Sequence, residues 1–413
     1  MKTRITYPIA ILLGFAASLL LGGWAPYESF LSTIVPVVKL LGIFVLFPVV
    51  FTLFMAAVAS LRRYKDTLIV FSSTIFWALF TTLVLSFAGM ALFLANPFGI
   101  GIKGPFTTSY QSNFFDFSTL LKMFFSENAF SQFTLSNTTL LPIMVVALFF
   151  GIALRPDKEA LRPAYVVVNS FAEVMMRLTR IITIVGALFL LFISAEWFGT
   201  WKVTTLFKTN LSLFIGLALA VVAALGMLLP LLFGLFTRFK GGNPYRILFG
   251  TFPALLATGF SGSMLYGTTP LLALSQKNNG VRKRALGISV PLLTILGRGG
   301  SALVSTMVSL GLLYTLQGAL PSIQIMVFIA LGSALFSLGA AFSPGIEILF
   351  IVLMVFKGFQ ASAISVIEPQ IILLLPILQI IAIIIDAAVI AYGTAFSSRI
   401  ISADDRVPQE QMM

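Results

Sequence analysis

The sequence has 413 residues, of which 59% are hydrophobic and only 10% are charged. Soluble globular domains have about 25% charged residues, so this composition excludes an ordinary soluble protein and predicts an integral membrane protein. The formal net charge is +12. Because no basic run carries interleaved aromatic residues, we attribute this charge to cytoplasmic loops and expect lipid, not nucleic acid, as the partner.

The sequence contains neither cysteine nor histidine. Disulfides, thiolate catalysis and histidine metal sites are therefore excluded, and any proton transfer must use carboxylates. There is also no HExxH motif and no pair of aspartates on facing spans. We expect no catalytic residue, no cofactor and no metal centre, and we predict that the protein is not an enzyme.

Long apolar runs predict eight membrane spans, since a helix needs about 20 apolar residues to cross a bilayer. We expect Pro36 and Pro48 to bend the second span. A polar stretch over 96–138 separates the third span from the fourth. In chain order the predicted spans cover 7–24, 31–60, 68–95, a run that ends near Leu154, 165–193, 205–237, 284–316 and 367–401.

Two further apolar segments, 247–277 and 321–360, break near their middle, at Ser261–Pro270 and Ala340–Gly345. Gly and Pro free backbone groups that lipid cannot satisfy, so such breaks must be buried in protein or line a wet cavity. We predict two re-entrant hairpins that enter from opposite sides, each followed by a long span, as an inverted repeat. The predicted fold class is an all-α membrane protein with eight transmembrane helices and two opposed re-entrant hairpins.

Basic residues in the predicted loops set the orientation. If Lys2 and Arg4 lie inside, the basic clusters after the second, fourth and sixth spans and after the first hairpin also lie inside. The outer loops hold few basic residues, which agrees with the positive-inside rule. We predict a multi-pass protein of the cytoplasmic membrane with both termini in the cytoplasm.

Six stretches spread over the chain carry a resemblance to a known family, namely 123–130, Leu141–Leu154, Glu173–Leu178, Gly267–Leu271, Asn279–Arg284 and Ser337–Gly345. They resemble the dicarboxylate/amino acid:cation symporter family, also known as the glutamate transporter family, and the resemblance covers most of the chain. It implies a homotrimer and transport by an elevator movement. Residues 1–64 and 96–200 would form a static scaffold, and 65–95 and 201–413 a moving transport unit.

The residues that would serve sodium and substrate depart from the family pattern. The serines of the first hairpin tip are replaced at 264–266. The NMDGT motif of the seventh span reads GRGGS over 297–301, so the Asn and Asp that serve sodium sites in the family are Gly297 and Gly299 here. The Met is Arg298, and the substrate-contacting Thr is Ser301.

The eighth span retains only one residue of the family pattern. The first Asp of its pattern is Asp386, whereas the Arg-Thr pair, the Asn and the final Asp are replaced. Val389, Ile390, Gly393 and Ser397 stand at those positions.

Arg298 is the leading candidate for substrate binding. A guanidinium near bilayer depth costs about 2.5–3.5 kcal/mol, and a position between glycines in mid-span does not favour snorkelling to the interface. Arg298 either clamps a substrate carboxylate or provides a fixed charge in place of a bound sodium ion, and the two roles are compatible.

Asp386 accepts the amino group of the substrate, as the resemblance implies, or is held by local hydroxyls or by Arg298. Glu347, where the family has Gly, pairs with Arg298, carries a proton, or is solvated at the outer face. The hairpin tips offer backbone groups at half-helix ends, which favour carboxylates. The tip candidates are Ser263, Thr268, Ser343 and Gly345, although the first two also fit a role as helix caps.

The sequence predicts a secondary active transporter of a small carboxylate or amino acid with an elevator mechanism. The lost sodium residues predict weak or absent sodium dependence, with proton coupling or exchange instead. The alternatives are a conventional sodium-coupled glutamate, aspartate or dicarboxylate symporter, and an anion channel or non-transporting receptor on the same fold.

Overall fold

The computed structural model describes residues 3–64, 66–100, 140–155, 158–200, 210–238, 243–342, 345–359 and 364–402, and every secondary-structure element within them is helical. Short 3₁₀-helices occupy Glu159–Leu161 and Ala340–Phe342, and a π-helical turn occupies Ala224–Leu228. In chain order the α-helices of these ranges are α1 (Thr3–Leu21), α2 (Ala25–Phe44), α3 (Leu46–Tyr64), α4 (Thr67–Ala95), α5 (Leu141–Ala153), α6 (Arg162–Thr200), α7 (Leu211–Ala223), α8 (Leu229–Phe236), α9 (Tyr245–Ser261), α10 (Met264–Lys277), α11 (Lys283–Leu296), α12 (Gly299–Gln317), α13 (Ile323–Ser337), α14 (Glu347–Phe359) and α15 (Ile364–Ile400).

Seven helical stretches of the described residues are long and apolar enough to cross a membrane, so the all-helical prediction is confirmed for this part of the chain. The predicted fourth span appears as the shorter helix α5. Residues 101–139, which precede it, lie outside the described ranges, so the prediction of eight spans stays a prediction. The seven stretches are Thr3–Leu21, Ala25–Leu61, Thr67–Ala95, Glu159–Gly199, Leu211–Phe236, Lys283–Gln317 and Ile371–Ile400.

Within the predicted second span the helix is interrupted at a single residue, Val45. Helix α2 ends at Phe44 and α3 begins at Leu46. Pro48 lies in the first turn of α3, where its missing N–H removes no intrahelical hydrogen bond. Pro36 is accommodated inside α2. Only the second of the two prolines therefore coincides with a break.

Besides α5, four described helices outside these seven stretches are too short to cross a bilayer alone. Helices α9, α10, α13 and α14 have 17, 14, 15 and 13 residues. At about 1.5 Å per residue, even the longest reaches only about 25 Å, less than the hydrocarbon thickness of about 30 Å. Helix α9 packs against α10, and α13 packs against α14.

The turn between α9 and α10 is tighter than the sequence predicts. The expected tip covers Ser261–Pro270, but α10 already begins at Met264. Gly262 makes the turn with φ 63°, a left-handed conformation that favours glycine. Thr268 therefore lies inside a helix rather than at a hairpin tip.

Helix α12 lies at the centre of the fold, where it packs against α4, α13, α14 and α15. Its residues from Gly299 to Leu313 are all buried, as expected of a helix enclosed on every side. A smaller apolar cluster joins α1, α2 and α6 to residues of α9 and α10, including Tyr266.

Trp77 joins α4 to α15. Its indole is fully buried, and its Nε1 donates a hydrogen bond to the carbonyl of Val389 at 3.0 Å. A Cβ at Gly393 would lie only 2.4 Å from the Trp77 ring, so the glycine allows the indole to lie directly on the α15 backbone.

We predict that Trp77→Ala lowers the free energy of unfolding by about 3–5 kcal/mol, because it removes a large buried aromatic side chain. The apparent melting temperature in detergent measures this loss. Trp24→Ala is the matched control, since Trp24 is 58% exposed. Equal shifts for the two variants would contradict the packing described here.

Candidate functional site

The helix break predicted in the seventh span is present. Helix α11 ends at Leu296, Gly297 has φ −80° and ψ 60°, Arg298 has φ −102° and ψ 33°, and α12 begins at Gly299. The first N–H groups of α12 have no intrahelical partners, and the helix dipole gives this end a partial positive charge. The break therefore creates a polar, electropositive point inside the apolar core.

Asp386 of α15 satisfies this helix end. Its Oδ1 accepts hydrogen bonds from the backbone N–H groups of Gly300 at 2.6 Å and Ser301 at 3.1 Å. Its Oδ2 accepts from the Ser301 hydroxyl at 2.5 Å. Asp386 is fully buried, so these three bonds replace hydration of the carboxylate.

Gly300 makes this contact possible. A Cβ at Gly300 would lie 2.3 Å from the carbonyl oxygen of Ala382 and 2.9 Å from the backbone nitrogen of Asp386. Both atoms belong to the α15 backbone, which cannot yield as a flexible side chain would. Glycine is therefore required for α12 to begin this close to α15.

Arg298 is a buried cation with unused hydrogen-bond donors. Its side chain is only 4% exposed, and its Nη1 lies 3.6 Å from Oε1 of Glu347. This distance allows Coulomb attraction but is too long for a hydrogen bond. Among the described residues, neither Nε nor Nη1 of Arg298 has a hydrogen-bond partner. The guanidinium can therefore still donate hydrogen bonds to an anionic group.

Glu347 begins α14 and is 2% exposed. Its Oε2 accepts hydrogen bonds from the backbone N–H of Gly345 at 3.0 Å and from Nε2 of Gln379. Its Oε1 faces Arg298. With Asp386 included, the cluster contains one cation and two carboxylates, and the Arg298 charge acts on both of them.

The structure brings five of the predicted site residues together, namely Arg298, Ser301, Asp386, Gly345 and Glu347. Two of them use their polar groups within the fold, since Asp386 caps α12 and Ser301 donates to Asp386. Glu347 is buried beside Arg298, so it is not a solvated surface residue.

The other predicted site residues have local roles or lie outside the described ranges. Ser263 caps α10, since its Oγ accepts a hydrogen bond from the Tyr266 N–H at 3.4 Å. Thr268 donates to the carbonyl of Met264 at 2.8 Å and lies 3.1 Å from the hydroxyl of Thr294, one turn before the helix break. Ser343 is not among the described residues.

Gln379 is a site residue that the sequence analysis missed. It is 4% exposed, and its Oε1 has no hydrogen-bond partner among the described residues. It is the only residue with a polar side chain in the run 371–385 and lies seven residues before Asp386. A spacing of seven residues places two side chains on the same helix face, so the sequence contained a signal for it.

Three positions at which this chain departs from the family pattern, Gly299, Gly393 and Ser397, are closely packed. A Cβ at Gly299 would lie 2.6 Å from Cδ1 of Leu85, and Gly393 lies under the Trp77 ring. Ser397 has its hydroxyl 2.8 Å from that of Thr74. Apolar groups and a paired hydroxyl therefore occupy the space where the family pattern has an amide or carboxylate.

The long apolar helices and the charged site among them define a multi-pass membrane protein. The chain belongs to the Sodium:dicarboxylate symporter family, whose model matches residues 5–387. This match confirms the resemblance found in the sequence and agrees with the prediction that the chain is not an enzyme.

Three relatives are transport proteins. The "Neutral amino acid transporter B(0)" of Homo sapiens is 31% identical over 210 residues, 50% of this chain and 37% of the human protein. That of Oryctolagus cuniculus is 28% identical over 241 residues, 58% of this chain and 42% of the rabbit protein. The "Proton/glutamate-aspartate symporter" of Bacillus subtilis (strain 168) is 26% identical over 270 residues, 62% of each chain. The match thus covers less than half the length of either mammalian relative.

We predict that Ser301→Ala lowers the free energy of unfolding by about 1–3 kcal/mol, because it removes a hydrogen bond to a buried carboxylate. Ser305→Ala, one turn further along α12, is the matched control. The Ser305 hydroxyl is buried without a hydrogen-bond partner among the described residues, so its loss should change stability little. Thermal unfolding in detergent compares the two, and a larger loss for Ser305→Ala would contradict the capping role of Asp386.

Proposed function

We propose that this protein is a secondary active transporter that moves a small carboxylate or amino acid across the cytoplasmic membrane. The observation that carries the proposal is the Arg298 guanidinium, which is buried at a helix break with unused donors. Burial of a cation is unfavourable unless charge and hydrogen bonds compensate it, and Glu347 offers only a long contact. A substrate carboxylate would supply the missing hydrogen bonds.

The geometry of arginine supports a carboxylate as the group that is bound. Its planar fork forms paired hydrogen bonds with two oxygen atoms, and such charge-assisted pairs are about twice as strong as neutral hydrogen bonds. The relatives carry names that refer to amino acids, which favours an amino acid over a simple carboxylate. Gln379, which contacts Glu347 through its Nε2, has in its Oε1 a buried acceptor without a partner among the described residues, and this oxygen could accept from an ammonium group. Asp386 is a weaker candidate because three hydrogen bonds within the protein already use its oxygens.

We further propose that sodium has little effect on transport. A permanent cation at Arg298 provides the positive charge that a bound sodium ion would otherwise bring into the site. The close packing of Leu85 on Gly299, where the resemblance implies a carboxylate that serves sodium, supports this reading, since little space remains there for a coordinated ion. The description of the family favours the alternative, a conventional sodium-coupled dicarboxylate symporter.

The remaining parts of the proposal concern the transport movement. Helices α9 with α10 and α13 with α14 would form two re-entrant hairpins of a fold with eight spans, which their lengths support. Residues 65–95 and 201–413 would move as an elevator against a trimeric scaffold formed by 1–64 and 96–200, with both termini in the cytoplasm. The apolar cluster of α1, α2 and α6 also contains Ala257 of α9 and Tyr266 of α10, so it would lie where the scaffold meets the moving unit.

A thermal-shift measurement on the purified protein tests the proposed site. We expect at least one of three probes, L-glutamate, L-alanine or succinate, to raise the melting temperature equally in sodium and potassium salts. A ligand at about 100 times its Kd stabilises the folded state by about 2.7 kcal/mol, which a melting curve detects readily. The shift should disappear in Arg298→Met and weaken in Arg298→Lys, which keeps the charge but loses the fork.

Lys39→Met is the matched control for the loss of a cation. Lys39 lies on α2, where it forms a half-exposed ion pair with Glu196 at 3.5 Å. We expect this variant to retain the ligand-induced shift. Stabilisation that requires sodium would instead favour the conventional symporter, and stabilisation that persists in Arg298→Met would contradict the proposed role of Arg298.

A further inference from the structure

The two carboxyl oxygens of Glu347 have different environments. Oε2 accepts two hydrogen bonds, from the Gly345 backbone at 3.0 Å and from Gln379. Oε1 faces Arg298 at 3.6 Å without a hydrogen bond. Both contacts of Oε2 come from N–H donors, and a carbonyl oxygen accepts from an N–H donor as a carboxylate oxygen does. Gly345 and Gln379 can therefore hold Glu347 in place whether or not Oε1 carries a proton.

Glu347 and a substrate carboxylate would compete for the same partner. The only cation that faces Glu347 from the described helices packed against α14 is Arg298, at the start of α12. Helix α13 has no ionisable side chain, and α15 contributes a second anion, Asp386. A further carboxylate would add a third negative charge to this buried cluster, which is unfavourable unless something compensates it.

We propose that Glu347 couples a proton to substrate binding, taking up one proton on Oε1 as the substrate carboxylate replaces it at Arg298. This inference rests on the proposed function, since it names the coupling group of the same site. One carboxylate takes the place of another beside Arg298, so a single ionised carboxylate faces the guanidinium before and after binding. The proton comes from solvent and forms the O–H bond of the neutral acid, and no other bond changes.

The direction of the pH dependence follows from this exchange. The substrate binds to the form in which Glu347 is neutral, so binding at high pH must take up a proton and becomes weaker as pH rises. By linkage, the Kd should rise by about tenfold per pH unit where Glu347 is ionised before binding. An unrelated, purely structural role for Glu347 would affect folding but not this slope.

The experiment is isothermal titration calorimetry of the purified full chain with L-glutamate, L-alanine and succinate. Titrations in buffers of different ionisation enthalpy give the number of protons taken up on binding, and titrations at several pH values give the slope. We expect about one proton per bound probe for the natural protein, and none for Glu347→Gln, whose Kd should be independent of pH.

Glu368→Gln is the matched control, the same chemical change at a carboxylate on α15 outside the cluster. We expect it to retain the proton uptake and the pH slope of the natural protein. Proton uptake that persists in Glu347→Gln, or binding to the natural protein without proton uptake, would overturn the inference. The second result needs no variant, so misfolding of Glu347→Gln would not protect the inference. Failure of all three probes to bind the natural protein would instead overturn the proposed function.

Discussion

A helix that begins inside an apolar core needs a partner for its free N–H groups, and the cap that Asp386 provides for α12 meets this need. Neither lipid nor an apolar side chain can satisfy those groups. Asp386 bonds to Gly300 and Ser301 and so fixes the start of α12 against α15. The position of the break, and therefore of Arg298, depends on this contact and on the absence of a side chain at Gly300.

The cap also determines the electrostatics of the site. Once Asp386 is committed to the helix end, Arg298 is left as the cation of the cluster and Glu347 as its nearest carboxylate. Loss of one partner from a buried ion pair typically costs about 3–5 kcal/mol, so such a pair stays together unless another charge replaces one member. A substrate carboxylate and a proton are together such a replacement. In this account, the substrate carboxylate binds and Glu347 takes up a proton for the same reason, because Arg298 keeps one ionised carboxylate as its partner.

The break at Gly297 and Arg298 could be predicted from the sequence, because glycines and a charge within an apolar run are tolerated at membrane depth only where protein or a wet cavity surrounds them. The helical fold could be predicted because apolar runs of about 20 residues cross a bilayer as helices. The extent of the first hairpin tip was wrong because Thr268 and Pro270 are weak helix formers by propensity, yet tertiary packing keeps them helical. The interruption at Val45 was predicted only as a bend near Pro48, because a proline can bend, start or end a helix and the sequence does not decide which.

The partners within the site were the least predictable part. The sequence placed Asp386 near the break but left open whether it contacts the substrate or local hydroxyls, because its contacts with α12 join residues 85 and 86 positions apart. Gln379 was overlooked because its spacing from Asp386 becomes meaningful only when α15 is known to face Glu347. The packing of Trp77 on Gly393 involves the same kind of long-range contact.

The central claim is that the fixed charge of Arg298 removes the requirement for sodium, and uptake into proteoliposomes tests it most directly. Uptake of a radiolabelled probe that binds in the thermal screen is measured with an inward sodium gradient and with an equal potassium gradient at the same membrane potential. The account predicts equal initial rates under the two conditions. A strong and saturable stimulation by sodium would contradict it and would show that sodium sites persist in this fold.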